Sequence, residues 1–387
     1  MGLSQINRSK INMAAQHTPP NKPITILSID GGGIRGIIPA LVMAEIERRT
    51  EKPISALFDL VAGSSTGGLL ALALAVPGED GAPRYTAEQL PMLYQQHSKL
   101  IFSRTRWDAI LSIDNWRVRR YPNTGISEAL QDVFGDAKLT DVLTDVMVTS
   151  YDIERRMPWF FRSHRAKQVD QCNFLLRDVV RATTAAPTFF EPAQLHNHDD
   201  PDHPFALIDG SMTSINPALC AYVEAREMYP QAQDFIVVSL GTGNLTQSLP
   251  HQEVKNWGLL NWAKPLSDIM FDASSRTVDH HIEQLLPRGA DNRSRYFRLQ
   301  KRIEGVDHRM DDISDASLAM IREWGHELIA DHHDLIDEMC EALLAASAVT
   351  QPPDNTPRRR FFALQSLAFW RSSDDDQPAD IQQTGTG

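Results

Sequence analysis

Two short stretches of this chain set residues suited to acyl chemistry at the ends of apolar runs. Gly63-Ser64-Ser65-Thr66-Gly67 follows Phe58-Asp59-Leu60-Val61-Ala62 and precedes an apolar stretch of helical length, Leu69 to Val76. Asp30-Gly31-Gly32-Gly33-Ile34-Arg35-Gly36 follows Ile24 to Ile29 and precedes Ile37 to Ile46. A serine hydroxyl attacks a carbonyl when it stands on a sharp strand-to-helix turn beside a base, and Gly63 and Gly67 let the backbone close around Ser65. The attack creates an oxyanion, which needs fixed N–H donors. Glycines Gly31 to Gly33, ahead of a helix N-terminus, present main-chain amides with no side chain in the way, and Arg35 adds positive charge nearby.

Each string alone has a plainer reading. Gly31-x-Gly33-x-x-Gly36 also matches a dinucleotide fingerprint, which requires an acid about 20 residues on, at the end of a second strand. Glu51 stands at that distance, but in Arg48-Arg49-Thr50-Glu51-Lys52-Pro53, a helix end and turn. A Walker A loop is excluded because no Gly-Lys-Ser/Thr follows. Gly63 to Gly67 by itself reads equally as an ordinary tight turn. The serine needs a base, and Ala206-Leu207-Ile208-Asp209-Gly210-Ser211 brings Asp209 to a glycine turn from an apolar strand. Asp80-Gly81 sits instead in the turn-forming run Val76 to Pro83, and Asp30 reads as the residue that holds the glycine loop together. A histidine base is the rival: His251 follows the strand Phe235 to Leu240 and the turn Gly241-Thr242-Gly243, in the order serine, acid, histidine.

Taken in order, these pieces resemble the patatin-like phospholipases. Asp30 to Gly36, Gly63 to Gly67, Arg181-Ala182-Thr183-Thr184-Ala185-Ala186-Pro187-Thr188-Phe189-Phe190, and Asp209-Gly210-Ser211 followed by Asn216-Pro217-Ala218 carry the resemblance, over roughly residues 22–245. It implies a three-layer α/β sandwich with a largely parallel central sheet, and a Ser65–Asp209 dyad acting without histidine. The amides of Gly32 and Gly33, with Arg35, serve the oxyanion, while Gly31, Gly36, Gly63, Gly67 and Gly210 shape the motifs. Ser211 departs from the family pattern, which has Gly or Ala after Asp-Gly. The resemblance extends to bacterial patatin-like effectors of anti-phage (CBASS) signalling, in which a cyclic dinucleotide switches on phospholipid degradation. That implies membrane phospholipid as substrate, a cyclic dinucleotide activator, homo-oligomer formation on activation, and a cytoplasmic protein peripheral to the inner membrane when active. A ligand-sensing protein on a non-catalytic scaffold, and an acyltransferase or small-ester hydrolase, use the same residues and stay open.

The 387 residues, 42% of them apolar, suffice for one large α/β core with extensions. A net charge of −12 argues against a nucleic-acid polymer as partner. Cys172, Cys220 and Cys340 are widely spaced, without a metal or disulfide pattern, and no cofactor or metal is expected. No apolar run reaches the roughly 18 residues of a membrane span.

The elements required to position the site are strands near 24–30, 58–64, 146–152, 206–209 and 235–240, alternating with helices; such alternation predicts a mostly parallel sheet with Ser65 and Asp209 at strand C-termini. Residues 1–21 read as a polar arm, 22–245 as the catalytic core, and 82–140 as a cap-like insertion carrying Trp107, Trp116, Arg104, Arg106, Arg117, Arg119 and Arg120. Residues 246–349 read as a helical extension, with 266–347 helical from the recurrence of apolar positions. There Arg276, Arg295, Arg298 and Arg302 are candidates for a cyclic nucleotide's phosphates, and Trp257 to Pro265 borders the acyl pocket or is core. Residues 350–387 comprise a Pro-rich linker, the basic-aromatic run Arg358 to Arg371, suited to a membrane interface or to docking on the body, and an acidic tail.

Overall fold

Strand β1 (Ile24–Ile29) is buried along its whole length, and its side chains divide by parity between two cores. Ile24 and Ile26 face one layer of helices and Leu27 and Ile29 the other. This two-sided burial explains why β1, β2 (Leu60–Ser64) and β7 (Phe235–Leu240) read as nearly unbroken apolar runs rather than as alternating ones. The computed structural model describes residues 22–101, 123–187, 189–197, 200–246, 248–304 and 311–348. The expected N-terminal arm, the tryptophans and arginines of the insertion, and residues 350–387 lie outside them.

The remaining strands are β3 (Asp145–Asp152), β4 (Met157–Arg162), β5 (Ala193–Asn197), β6 (Asp200–Ile208), β8 (Asn244–Thr246), β9 (Tyr296–Leu299) and β10 (Arg302–Glu304). The main sheet runs β5-β6-β3-β2-β1-β7-β9, with β4 also pairing β3. The block from β3 to β9 is parallel, while β4, β5 and β6 add to it antiparallel. Winding goes outward from β1 through β2 and β3, then returns to the other side of β1 with β7 and β9. The direction therefore reverses at β1, and Ile29 is level with Gly63 on one neighbour and Leu240 on the other. Ligands of such sheets bind at the carboxyl ends beside that reversal.

Helices α1 (Ile37–Thr50), α2 (Thr66–Ala75) and α3 (Leu176–Thr183) cover one face; α4 (Ala218–Met228) and α5 (Leu259–Leu285) lie on the other. Helices α6 (Asp315–Asp331) and α7 (His333–Ala348) pack on α1, and α7 also reaches β1 and β7. The layers are those expected, with two corrections. Residues 266–347 are not continuously helical: β9 and β10 interrupt them, and β9 extends the main sheet in parallel with β7. The sheet thus runs past residue 245, and the chain to Val349 forms one compact unit. The strand before Asp209 is also longer than expected and antiparallel to β3, which it meets only at Tyr151 and Asp152. By overhanging the end of β3, β6 brings its own carboxyl end to the same edge of the sheet.

Candidate active site

The turn from β2 into α2 places Ser65 at φ 52°, ψ −122°, a backbone that side-chain-bearing residues seldom adopt and that costs on the order of 1–3 kcal/mol. Two glycines hold it there. A Cβ on Gly67 would lie 2.1 Å from the Ile29 carbonyl oxygen, so α2 presses its first turn onto the end of β1. A Cβ on Gly63 would lie 2.1 Å from the Gly67 carbonyl oxygen, which lets the chain double back that tightly. The Ser65 N–H donates to Thr183 Oγ1 at 2.8 Å, linking the elbow to α3. Sequence reasoning passed over Thr183, although it stands within the Arg181–Phe190 stretch.

The Ser65 hydroxyl donates to Asp209 Oδ2 at 2.7 Å. Asp209 Oδ1 accepts the Ser211 N–H at 2.8 Å, and the Asp209 N–H is held by the Ala185 carbonyl at 3.0 Å. Ser65 is 8% exposed and Asp209 4%. Burial pushes the Asp209 carboxyl above its ordinary value, while the Ser211 N–H and the Ser65 hydroxyl pull it down. Gly210 packs on Thr149 and Thr183. Ser211 fills the space beside Gly31, where a Cβ would meet its Oγ at 2.3 Å, so the departure from Gly or Ala is accommodated by the glycine opposite.

The glycine loop lies against the serine, since a Cβ on Gly31 would come within 3.3 Å of the Ser65 Cβ. Its backbone is pinned on both sides. The Asp30 and Gly31 amides donate to Leu240 and Ile215 carbonyls, both at 2.9 Å, the Gly31 carbonyl accepts Thr242 Oγ1 at 2.7 Å, and the Arg35 amide turns back to Gly32. Between them, Gly33 adopts φ 60°. The amides of Gly32 and Gly33 donate to no acceptor among the described residues. Gly36 packs against Thr66 and Tyr94, whose hydroxyls are hydrogen-bonded to each other.

Asp30 holds the loop, as expected, but through a partner that sequence reasoning assigned elsewhere. Arg298 of β9 grips both carboxylate oxygens at 3.0 and 2.7 Å, and its guanidinium also donates to Ser239 and lies 3.3 Å from Asp279. Burial lifts the Asp30 carboxyl to about 6 against the pull of Arg298. Arg295 is paired with Asp234 and Asp291, and Arg276 with Asp272. Arg276, Arg295 and Arg298, offered above to a cyclic nucleotide's phosphates, are thus committed to carboxylates of the chain itself.

Arg35 is buried, and its guanidinium donates to the Gly243 carbonyl at 2.9 Å; burial lowers its pKa to about 10, opposed by Asp268. No hydrogen bond joins it to Ser65. It lines a cavity of about 60 Å³ together with Asp30, Gly31, Asp268, Phe271 and Gln300. His251 is exposed on a one-turn helix, and among the described residues no histidine is hydrogen-bonded to Ser65 or Asp209. Glu51, the acid a dinucleotide site needs on a strand, instead ends α1 in a left-handed cap. Among the described residues no three His, Cys, Asp or Glu side chains are grouped to hold a metal ion.

A family model described as Patatin-like phospholipase matches residues 27–222. Patatin-like protein 2 of Oryza sativa subsp. indica is 32% identical over 351 residues, covering 82% of this chain and 86% of the relative. Patatin of Solanum tuberosum is 27% identical over 331 residues, covering 79% and 83%. Among solved structures, VipD from Legionella pneumophila matches with a TM-score of 0.39 at 13% identity, over 82% of this chain and 67% of that one, a likeness that carries no argument. The match of the family model, together with the rice relative aligned over 86% of its own length, makes this chain a member of the patatin-like phospholipase family of lipid ester hydrolases.

Proposed function

We propose that the chain is a phospholipase A-type acyl hydrolase in which Ser65 and Asp209 act as a dyad on membrane phospholipid. The carrying observation is the 2.7 Å bond from Ser65 Oγ to Asp209 Oδ2, beside two amides, of Gly32 and Gly33, that donate to no described group. In this reading Asp209 takes the hydroxyl proton as Ser65 Oγ bonds to the ester carbonyl carbon. The carbonyl oxygen becomes an oxyanion held by the Gly32 and Gly33 N–H groups, and the fixed Arg35 guanidinium adds long-range positive potential. Collapse breaks the ester bond, the proton passes from Asp209 to the departing lysolipid oxygen, and the acyl chain stays on Ser65. Water, deprotonated by Asp209, then releases the fatty acid and restores the hydroxyl.

A scaffold that only sensed a ligand would have no use for a serine strained to positive φ. Acyl transfer to an acceptor other than water would use the same residues. Activation by a cyclic dinucleotide, oligomer formation on activation and a part in anti-phage defence rest on the resemblance alone, and three of the four arginines offered for the nucleotide's phosphates are paired within the chain. One experiment addresses all of these readings: mass spectrometry of phospholipid vesicles treated with wild type and Ser65→Ala, with and without a panel of cyclic dinucleotides. Free fatty acid and lysolipid from wild type only are expected. Lipid products from Ser65→Ala overturn the dyad, and equal yields with and without every nucleotide overturn the switch.

The dyad also fixes the sign of the pH response. Asp209 must be ionised to accept a proton, and burial has raised its pKa, so protonation inactivates the enzyme at a higher pH than an ordinary carboxyl would allow. The kcat/KM for a soluble ester is expected to fall on the acid side with an apparent pKa above about 3.9, and His251→Ala should leave that limb in place. Loss of the limb, or of activity, in His251→Ala would restore the histidine-base reading.

A further inference from the structure

Ser275 and Asp279, one turn apart on the same face of α5, both meet the Arg298 that fastens Asp30. Arg298 Nη2 donates to Ser275 Oγ at 3.2 Å, and its Nε lies 3.3 Å from Asp279 Oδ1. The same Asp279 oxygen accepts two further donors, the Tyr296 hydroxyl at 2.6 Å and Asn216 Nδ2 at 2.8 Å. Burial pushes the Tyr296 hydroxyl far above its ordinary pKa, so it stays a donor. Asn216 is completely buried, and its amide is held from the other side too, because Oδ1 accepts the Ala218 N–H at 3.1 Å and the Ser239 hydroxyl at 3.4 Å. Ser239 Oγ in turn accepts Arg298 Nη1 at 2.8 Å. Asp279, Arg298, Ser239 and Asn216 thus form a closed ring of polar contacts.

The ring reaches both loops of the site. Arg298 grips Asp30, the first residue of the glycine loop. Asn216 lies on the segment that begins at Asp209, next to Ile215, whose carbonyl accepts the Gly31 N–H at 2.9 Å. One carboxylate oxygen of α5 therefore holds the glycine loop through Arg298 and the Asp209 loop through Asn216. Asp279 makes no hydrogen bond to Ser65 or Asp209 themselves, so any effect on turnover passes through those loops. We infer that Asp279 is a positioning residue, the point at which α5 sets the glycine loop and the Asp209 loop in register with each other. This rests on the hydrolase reading, in which the oxyanion amides come from the first loop and the base from the second. Both must fit one tetrahedral centre on Ser65, and a misplacement of about 1 Å costs on the order of 10²-fold in rate. A ring that only stabilised the fold would change melting and leave the turnover of each folded molecule as it is.

The test compares full-length wild type, Asp279→Ala and Asp279→Asn in steady-state hydrolysis of a soluble ester, with peptide-resolved hydrogen exchange over residues 30–36 and 209–217. Asp279→Ala is expected to lower kcat by about tenfold or more with KM within about twofold, and to speed exchange in both segments. Asp279→Asn, whose amide oxygen still accepts Asn216 and Tyr296, should recover kcat to within about threefold of wild type. Arg49→Met is the control for lost stability alone: it breaks an ion pair with Glu45 and Asp337 that joins α1 to α7, and it should keep kcat. Should Asp279→Ala melt too early to assay, Asn216→Ser takes its place with the same expected loss, since a serine keeps a hydroxyl for the Ala218 N–H and is too short to reach Asp279. An unimpaired kcat in Asp279→Ala overturns the inference, as does an Asp279→Asn no faster than Asp279→Ala, or an equal loss in Arg49→Met. Hydrolysis absent from wild type overturns the hydrolase reading instead, and the exchange rates still decide whether Asp279 holds the two loops.

Discussion

Ser65→Ala and Asp209→Asn are each expected to lower phospholipid hydrolysis by about 10⁴-fold or more, and the double variant to lose little beyond either one, because nucleophile and base act as a unit. The geometry makes the loss steep. Oδ2 of Asp209 is the acceptor of the Ser65 hydroxyl, and an asparagine amide in that place cannot take the proton away. Stability should move the other way. Asp209 is a buried carboxylate whose ionised form burial disfavours, and the neutral amide keeps the Ser211 N–H bond without that cost. Denaturant midpoints for Asp209→Asn at or above wild type, together with lost turnover, are the expected signature. A variant equally inactive because it is less stable would point to a structural role for Asp209. Additive losses in the double variant would mean that the two residues work independently.

The second large effect is on stability. Arg298→Met is expected to cost about 3–5 kcal/mol, since removing one member of a buried ion pair leaves the other charge unpaired. Asp30 is 2% exposed and loses both guanidinium bonds, while Asp279 loses its neighbouring positive charge. Adding Asp30→Asn should restore much of the loss, as the amide has no charge to compensate. The pH dependence has a definite sign. Asp30 already titrates near 6 in the folded protein, above the ordinary carboxylate value near 3.9, and without Arg298 its pKa rises further. A carboxyl whose folded pKa is raised favours the folded state at acid pH, and that advantage is lost as pH climbs from about 3.9 through the folded value. The deficit of Arg298→Met measured by urea unfolding should therefore be smaller at pH 5 than at pH 8. A deficit below about 1 kcal/mol at both would show that the pair contributes little.

The parts of the site legible in the sequence are those made of adjacent residues. Gly63 to Gly67 and Asp30 to Gly36 each contain a strand end, a turn and a helix start, so their types disclose the geometry, and Asp209 was found because an apolar strand runs straight into Asp209-Gly210. Strand direction was not legible, because whether β6 runs with or against β3 is decided by its partner and not by its own residues. Nor was β9. It spans only Tyr296 to Leu299, with Tyr296 and Arg298 turned toward a polar network and Phe297 and Leu299 buried, too short a run for any period to register. The role of Arg298 depends on a partner 268 residues away, so local reasoning saw a free cation where the fold has a fastened one.

That sequence separation bears on biosynthesis. Chains emerge from the ribosome N-terminus first, and the strands carrying Ser65 and Asp209 are complete long before Arg298 is added. Until then Asp30 lacks the Arg298 counter-charge and β7 its outer neighbour, so the glycine loop lacks its clamp. A nascent lipid hydrolase is a hazard to every membrane near it. Fastening the loop with a late strand delays assembly of the site until nearly the whole compact unit has been made.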